Sequence, residues 1–219
     1  RPALCCPSQS VLGCAAVNQG GAMRIAMVKY NAGNTRSVLC SLNRLGYEAE
    51  VTDDPKLLRS ADKVIFPGVG EASTAMAYLR EKGLDEVLVH LEQPFLGICL
   101  GMQLMCSFSE EHNTTTLGIF DVPVRKFVLP PAYKVPHMGW NTLSRSEDPF
   151  FSHLEGESWC YFVHSYYVEM GPSTIATTTY GPLSFTAVLH KDNFYGCQFH
   201  PEKSAEVGAT LLKTFVEEL

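Results

Sequence analysis

The sequence predicts a single α/β domain with a central, mostly parallel sheet, helices on both faces and antiparallel additions in its C-terminal half. Two patterns indicate this fold class. From Met23 to about Phe108, short apolar runs alternate with segments of helical periodicity, as in β–α–β units with right-handed crossovers. Beyond Leu117, strand patterns follow one another without intervening helices, which favours antiparallel strands.

The first half contains four apolar runs that are typical of buried strands, at residues 24–30, 47–51, 63–66 and 95–98. Apolar residues at helical spacing predict helices at residues 34–45, 55–61, 71–91 and 100–108. In the second half we expect strands at residues 122–128, 159–169, 175–180 and 185–199, the last interrupted at 191–193. A terminal amphipathic helix over residues 205–219 should pack back on the sheet.

The composition argues against several classes of protein. Of the 219 residues, 46% are hydrophobic and 18% charged, with a formal net charge of −6 and no cluster of Lys or Arg, so we expect no nucleic-acid partner. No apolar run reaches the roughly 18 residues of a membrane span, so we expect no membrane association. Neither zinc-finger spacing nor an H-E-x-x-H motif occurs, so we expect no metal and no cofactor.

Eight cysteines could indicate a disulfide framework, but a chain of this length does not need one. Five of them lie in apolar runs and are interpreted as reduced thiols of a cytoplasmic protein, namely Cys40, Cys99, Cys106, Cys160 and Cys197. The other three lie in residues 1–22, which carry one charge and no clear period. We interpret residues 1–22 as a leader or a cloning remnant outside the fold, and residues 23–219 as the domain.

The run Gly97-Ile98-Cys99-Leu100-Gly101 has the pattern G-x-C-x-G and lies between a predicted strand and a predicted helix. This is the cysteine form of the nucleophile elbow, whose glycines permit a sharp turn that lifts the central side chain above the sheet. The N-terminus of the following helix favours a thiolate. A small buried cysteine between packing glycines is the alternative interpretation.

A thiol nucleophile needs a base, and the base needs an orienting group. Of the seven histidines, His200 is the best placed, because the predicted strand at 195–199 leads into a loop that contains His200 and, two residues later, Glu202. Side chains at this spacing can point the same way. A surface loop with a chance carboxylate is the alternative.

The run Pro67-Gly68-Val69-Gly70 also follows a predicted strand. Backbone N–H groups of Val69 and Gly70, with that of Leu100 next to the nucleophile, would form an oxyanion hole. The alternative is an ordinary tight turn.

The chain carries two motifs, GICLGMQ at residues 97–103 and HPE at residues 200–202, that together resemble the signatures of the class I glutamine amidotransferases. The resemblance implies the single-domain fold of that family. It also implies a glutaminase in which Cys99, His200 and Glu202 hydrolyse L-glutamine to glutamate and ammonia.

Further motifs resemble a narrower family, the glutaminase subunits of imidazole glycerol phosphate synthase in histidine biosynthesis. They are PGVG at 67–70, GMQ at 101–103, PHMGW at 136–140 and QFHPEKS at 198–204. The PHMGW motif is the one that distinguishes this family from other glutaminase subunits. Met102 also departs from the Gly-His-Gln that is usual in the subunits for anthranilate and aminodeoxychorismate. The resemblance implies a heterodimer with a (β/α)8 cyclase that uses the ammonia.

By the same resemblance, Gln103 and Glu111 hold the amino-acid end of L-glutamine, and the backbone around Ser165 and Tyr166 holds its carboxylate. Gln103 lies one helical turn beyond Cys99, so it can face the same pocket. The alternatives are a helix-surface amide for Gln103 and a solvated acidic loop for Glu111.

The resemblance also places His137, Met138, Trp140 and Lys203 on the partner face. A tryptophan in a glycine-containing loop suits an interface anchor, whereas core packing is the alternative for Trp140. Rival functions are a glutaminase subunit of another amidotransferase, a γ-glutamyl hydrolase with the same triad, and a noncatalytic docking subunit of the same fold.

Overall fold

The computed structural model describes residues 23–31 and 35–219. These residues form fourteen strands and six α-helices. Residues 1–22, interpreted from the sequence as a leader, lie outside the described part of the chain. Among the described residues, none of the helices has both the length and the apolar character needed to cross a bilayer.

Five parallel strands form the centre of the main sheet: β1 (Ile25–Val28), β2 (Ala49–Thr52), β3 (Lys63–Phe66), β4 (Phe95–Ile98) and β14 (Phe194–Cys197). Their order across the sheet is β2–β1–β3–β4–β14. The strand that precedes the predicted nucleophile, β4, therefore lies between β3 and β14. Loops that leave both neighbours at the same edge can reach Cys99.

Helices cover both faces of this sheet: α1 (Thr35–Arg44), α2 (Pro55–Ser60), α3 (Ala72–Glu81), α4 (Leu84–Leu88), α5 (Leu100–Leu104) and α6 (Ala205–Glu217). Successive residues of β1 enter opposite cores, as the two-residue period of a strand requires. Ala26 and Val28 pack in the cluster that contains α2 to α5, whereas Ile25 and Met27 pack with α1 and α6. The predicted fold class is confirmed.

The C-terminal half extends the sheet with antiparallel strands: β7 (Pro123–Lys126), β11 (Tyr166–Val168), β12 (Thr174–Tyr180) and β13 (Leu183–Lys191). Strand β13 runs antiparallel to β14, and β11 and β7 follow it outward. Strand β12 pairs with β13 off this path. Three two-residue strands complete the twelve-stranded sheet: β5 (Phe108–Ser109), β6 (Thr114–Thr115) and β9 (Ser144–Arg145).

A separate antiparallel ribbon consists of β8 (His137–Thr142) and β10 (Trp159–His164). Its side chains alternate between two faces. The outer face carries the cross-strand pairs Tyr161–Trp140 and Val163–Met138, and the inner face carries His164–His137. Met138 is 61% exposed and Trp140 50% exposed, whereas both histidines are buried. One face of the ribbon is therefore an exposed apolar surface, and the other face packs in the core.

Some element bounds differ from those predicted. The helix expected over 71–91 divides into α3 and α4 around Gly83, whose φ is +64°, and the helix expected over 100–108 ends at Leu104. The strand expected over 159–169 breaks at Ser165, because β10 and β11 belong to different sheets. Strand β8 was not predicted, and the interpretation of Trp140 as a loop residue is wrong. Strand β8 contains a glycine and has no β-branched residue before Thr142. Its β-strand propensity is therefore low, and the sequence pattern did not predict it.

Two buried histidines lie between the ribbon and the main sheet. His164 Nδ1 lies 2.7 Å from the carbonyl oxygen of Tyr166, and His164 Nε2 lies 3.1 Å from His137 Nδ1. Because a carbonyl only accepts, His164 carries its proton on Nδ1 and accepts a hydrogen bond from His137. Burial lowers the pKa of His137 to about 4 and the pKa of His164 to about 3. Both rings are therefore neutral at physiological pH.

This burial should make the protein lose stability in mild acid. A histidine whose folded pKa lies below its unfolded value of about 6.5 contributes full stability above that pH and loses it as the pH falls towards the folded pKa. Between pH 7.5 and 5.5 the cost is about 1.4 kcal/mol for each histidine. We therefore expect the free energy of unfolding of the native protein to fall by about 1.4 kcal/mol more over this interval than that of His137→Asn.

Urea unfolding at the two pH values measures this difference. The matched control is His90→Asn, since His90 is exposed and its Nδ1 makes a hydrogen bond with the backbone carbonyl of Glu86 and not with a carboxylate. The control should lose stability in parallel with the native protein. Parallel curves for the native protein and His137→Asn would contradict the prediction.

Candidate active site

Cys99 lies at the junction of β4 and α5, where the chain turns sharply. Its φ is +52° and its side chain is 7% exposed. The turn needs glycine on the helix side, because a Cβ at Gly101 would lie 1.8 Å from the carbonyl oxygen of Phe66. The chain therefore forms the elbow that the G-x-C-x-G pattern predicts.

The surroundings of Cys99 come from two other strands. Its backbone N–H donates to the carbonyl of Cys197 at the end of β14, at 2.7 Å. Its Sγ lies 3.9 Å from the carbonyl oxygen of Val163 on β10 and 3.7 Å from Nε2 of Gln198. The sulfur is thus held between the parallel centre of the sheet and the ribbon.

His200 and Glu202 form a buried ion pair behind the sulfur. His200 Nδ1 lies 2.8 Å from Glu202 Oε1, and both side chains are 1% exposed. Burial alone lowers the pKa of His200, but the interactions with Cys99 and Glu202 outweigh it and raise the pKa to about 10. The imidazole is therefore protonated at neutral pH. Its Nε2 is buried and makes no hydrogen bond of ordinary geometry with any of the described residues.

A cleft of about 290 Å³ opens in front of Cys99. It brings together the residues that the sequence assigned to the oxyanion hole and to substrate binding: Val69, Gly70, Leu100, Gln103, Glu111, Ser165 and Tyr166. The break between β10 and β11 places Ser165 at the wall of this cleft. In the described part of the chain, no group of three or more His, Cys, Asp or Glu side chains could hold a metal ion.

Gln103 faces the cleft, but its amide nitrogen is already engaged. Its Nε2 donates to the carbonyl of Tyr166 and to Oε1 of Gln198, both at 2.9 Å. Gln198 itself is fully buried and contacts the sulfur. Gln198 was not predicted to belong to the site, although it begins the QFHPEKS motif two residues before His200.

Glu111 also lines the cleft, and its side chain lies at the start of α3. Its Oε2 accepts the backbone N–H of Ala72 at 2.7 Å. Burial raises the pKa of Glu111 above its ordinary value. The carboxylate is therefore fixed by the helix N-terminus and is partly buried, unlike a solvated loop residue.

The predicted oxyanion hole is not assembled in this conformation. The N–H of Leu100 donates to the carbonyl oxygen of Gly68 through a long hydrogen bond of 3.4 Å. The Gly68–Val69 peptide therefore presents its carbonyl, and not the N–H of Val69, towards the elbow. The preceding residue is also held, since the hydroxyl of Tyr30 donates to the Pro67 carbonyl at 2.7 Å.

Three of the four residues expected on the partner face are exposed together. Trp140 packs edge-on against Tyr161, with ring centroids 6.0 Å apart, and Lys203 Nζ lies 6.0 Å from the same Tyr161 ring. Met138 lies two residues before Trp140 on the outer face of the ribbon. We call Met138, Trp140, Tyr161 and Lys203 the ribbon patch.

His137 differs from this expectation. Its side chain is 3% exposed and stacks on the rings of Phe162 and Tyr180, with centroids 5.1 and 4.2 Å away. Because neighbouring strand residues project to opposite faces, an exposed Met138 requires an inward His137. The side chain of His137 therefore belongs to the core and not to the exposed surface.

Comparison with known proteins gives one consistent family. A model of the family "Glutamine amidotransferase class-I" matches residues 26–219. The imidazole glycerol phosphate synthase subunit HisH of Bacteroides fragilis (strain ATCC 25285) is 56% identical over 197 residues, which cover 89% of this chain and 100% of that protein. The imidazole glycerol phosphate synthase subunit HisH of Pasteurella multocida is 46% identical over 197 residues, which cover 89% of this chain and 98% of that protein.

Solved structures share the fold at low identity. A protein from Thermoplasma acidophilum, described as part of a GMP synthase, has a TM-score of 0.69 and 18% identity, covering 90% of this chain and 94% of that one. A crystal structure of a glutamine amidotransferase has a TM-score of 0.68 and 19% identity, covering 88% and 97%. The family model, the curated relatives and the fold agree, and this chain belongs to the class-I glutamine amidotransferases.

Proposed function

We propose that the protein is the glutaminase subunit of an imidazole glycerol phosphate synthase, which releases ammonia from L-glutamine for histidine biosynthesis in the cytoplasm. The observation that carries the chemistry is Cys99 on a strand-to-helix elbow, facing a cleft, with the His200–Glu202 ion pair behind it. The similarity to HisH subunits over 98–100% of their lengths supports this synthase over other amidotransferases.

In the reaction, the Cys99 thiolate attacks the side-chain carbonyl carbon of glutamine, and the carbon–nitrogen bond breaks as a γ-glutamyl thioester forms. Protonated His200 gives its proton to the departing ammonia. The neutral imidazole then takes a proton from water, which hydrolyses the thioester to glutamate and frees the sulfur. Glu202 holds the proton on His200 Nδ1 and stabilises the imidazolium.

The cleft has groups suited to both ends of the amino acid. The Glu111 carboxylate offers a negative charge for the α-ammonium group, and Gln103 lines the same cleft. The backbone around Ser165 and Tyr166 lines the side of the cleft towards the ribbon and would receive the α-carboxylate. Glutamine would then point its side chain at Cys99.

Replacing the nucleophile tests the assignment directly. Cys99→Ala should lower glutamine hydrolysis by roughly four to six orders of magnitude, as expected when a triad nucleophile is lost. Synthesis from added ammonia by the complex with the cyclase should survive, because that reaction bypasses the thioester. Cys40→Ala is the matched control, since Cys40 is an exposed thiol on α1. Near-native hydrolysis by Cys99→Ala would refute the triad.

The orientation of the Gly68–Val69 peptide suggests how a partner would control the rate. With the Gly68 carbonyl on the Leu100 N–H, an oxyanion would meet a carbonyl oxygen where it needs a donor. Turning this peptide over would free Leu100 and present the Val69 N–H as a second donor. The hydrogen bond that opposes the turn is long and weak, and Gly70, with φ of +130°, follows in the loop.

The isolated protein should therefore hydrolyse glutamine slowly, and the cyclase should accelerate it. A factor of 100 requires about 2.7 kcal/mol of differential stabilisation of the turned peptide. Steady-state glutamine hydrolysis measures this for the isolated protein, with cyclase, and with cyclase plus its nucleotide ligand. Equal rates in all three conditions would disprove control by the Gly68–Val69 peptide. The assignment of Cys99, His200 and Glu202 would still stand.

The ribbon patch is the surface on which we place the (β/α)8 cyclase. An exposed tryptophan and methionine beside an aromatic ring and a lysine have the composition of an interface centre. Tyr161 of the patch lies on β10, the strand whose Val163 carbonyl contacts the sulfur of Cys99. Docking here would place the cyclase next to the departing ammonia.

Truncating the patch should weaken assembly without unfolding the protein. We expect Trp140→Ala to raise the dissociation constant for the cyclase by about 30-fold or more, the scale of an interface hot spot. Met138→Ala should raise it less. Its control is Met170→Ala, because Met170 is 56% exposed, close to the 61% of Met138, and lies outside the patch. Calorimetric titration would disprove the placement if all three variants bound alike.

A further inference from the structure

Gln198 is a buried polar residue that the proposed mechanism does not use. Its side chain is fully enclosed, and its Nε2 donates to Cys99 Sγ at 3.7 Å. It follows β14 directly and precedes His200 by two residues. The same segment of chain therefore brings two polar side chains to the sulfur.

The orientation of the Gln198 amide is determined by a chain of hydrogen bonds. The Tyr166 carbonyl can only accept, so Gln103 must present its Nε2 to it, at 2.9 Å. The same nitrogen has a second hydrogen, which it donates to Oε1 of Gln198, also at 2.9 Å. With its oxygen engaged, Gln198 must present Nε2 to the sulfur.

The start of this chain is itself held in place. His164 Nδ1 donates to the same Tyr166 carbonyl at 2.7 Å, and His164 is buried. Rotation of the Gln198 amide would bring its oxygen to the sulfur and two N–H groups together at Gln103. Such a rotation would leave buried polar groups unpaired, which is costly. The donor at the sulfur is therefore preorganised.

A donor at this place favours the charged form of the sulfur. The Val163 carbonyl, 3.9 Å from Sγ, can pair only with the neutral thiol, and the Leu100 N–H is occupied by Gly68. His200 gives its proton away during the reaction, whereas an amide N–H stays. A hydrogen bond to an ionised group is also stronger than one to a neutral group.

We infer that Gln198 is a further catalytic residue, whose amide N–H stabilises the Cys99 thiolate before attack and again when the sulfur leaves the thioester. This inference rests on the proposed function for the reaction, but the contact with the sulfur can be tested without it. Gln103 acts through Gln198 as a positioning residue, in addition to lining the cleft.

The test is the pH dependence of Cys99 alkylation by iodoacetamide in the full chain, followed by mass spectrometry of the peptide that carries Cys99. Gln198→Met keeps an unbranched side chain of similar length and removes the donor. We expect the midpoint of alkylation to rise by about one pH unit, the scale of one hydrogen bond to a charged group. With the cyclase present, kcat for glutamine should fall about 10- to 100-fold while KM changes less than about threefold.

Gln93→Met is the matched control. Gln93 Nε2 donates to the Leu58 carbonyl at 2.7 Å, so the variant also loses one partly buried amide hydrogen bond, but at a distance from the cleft. It should alkylate Cys99 with the native midpoint and keep the native kcat. A purely structural role for Gln198 would make the two variants alike in both measurements, and this result would overturn the inference.

Gln198→Glu keeps an oxygen that can accept the hydrogen bond from Gln103. It replaces Gln198→Met in the test if that variant fails to fold. A carboxylate beside the sulfur should raise the alkylation midpoint further than loss of the donor alone. A native midpoint in either Gln198 variant would overturn the inference. Shifted midpoints in a protein that hydrolyses no glutamine would reject the proposed function and leave the thiolate contact established.

Discussion

The close approach of α5 to the end of β3 is the constraint on which the site depends. A Cβ at Gly101 would lie 1.8 Å from the carbonyl oxygen of Phe66, so only glycine lets the helix start there. Because the helix starts there, Cys99 takes a φ of +52° and its sulfur reaches the ends of β14 and β10. Moving α5 outward would separate Cys99 from the residues that surround its sulfur.

The site consists of a firmly held part and a loosely held part. On the β14 side, the groups around the sulfur are linked by buried hydrogen bonds of 2.7–2.9 Å, among them the His200–Glu202 pair and the two glutamine amides. On the β3 side, a long bond of 3.4 Å holds the Gly68–Val69 peptide against the elbow. The geometry around Cys99 and His200 is therefore held separately from the orientation of the Gly68–Val69 peptide, which would decide whether the proposed oxyanion hole forms. If the proposed function holds, a partner that turns this peptide would change the rate without disturbing Cys99, His200 or Glu202.

Sequence patterns predicted the parts of the molecule that depend on local order. The bounds of β3 and β4 agree because both are continuous apolar runs buried on both faces, and the elbow agrees because its glycines are a local requirement. The ribbon strand β8, the inward side chain of His137 and the contact of Gln198 with the sulfur were not predictable. Each depends on which distant segment lies opposite, and no short window of sequence contains that information.

Alternate residues of strand β10 contact different parts of the protein. The Tyr161 carbonyl accepts the backbone N–H of His200 at 2.9 Å, and the Val163 carbonyl faces the sulfur, while their side chains lie on the outer face of the ribbon. Phe162 and His164 point into the core. Inserting or deleting one residue would exchange the two faces beyond that point, exposing Phe162 or burying Tyr161. Evolution can therefore substitute side chains along β10, but it cannot change the length of this strand, and any gain or loss of residues must fall in the connections outside it.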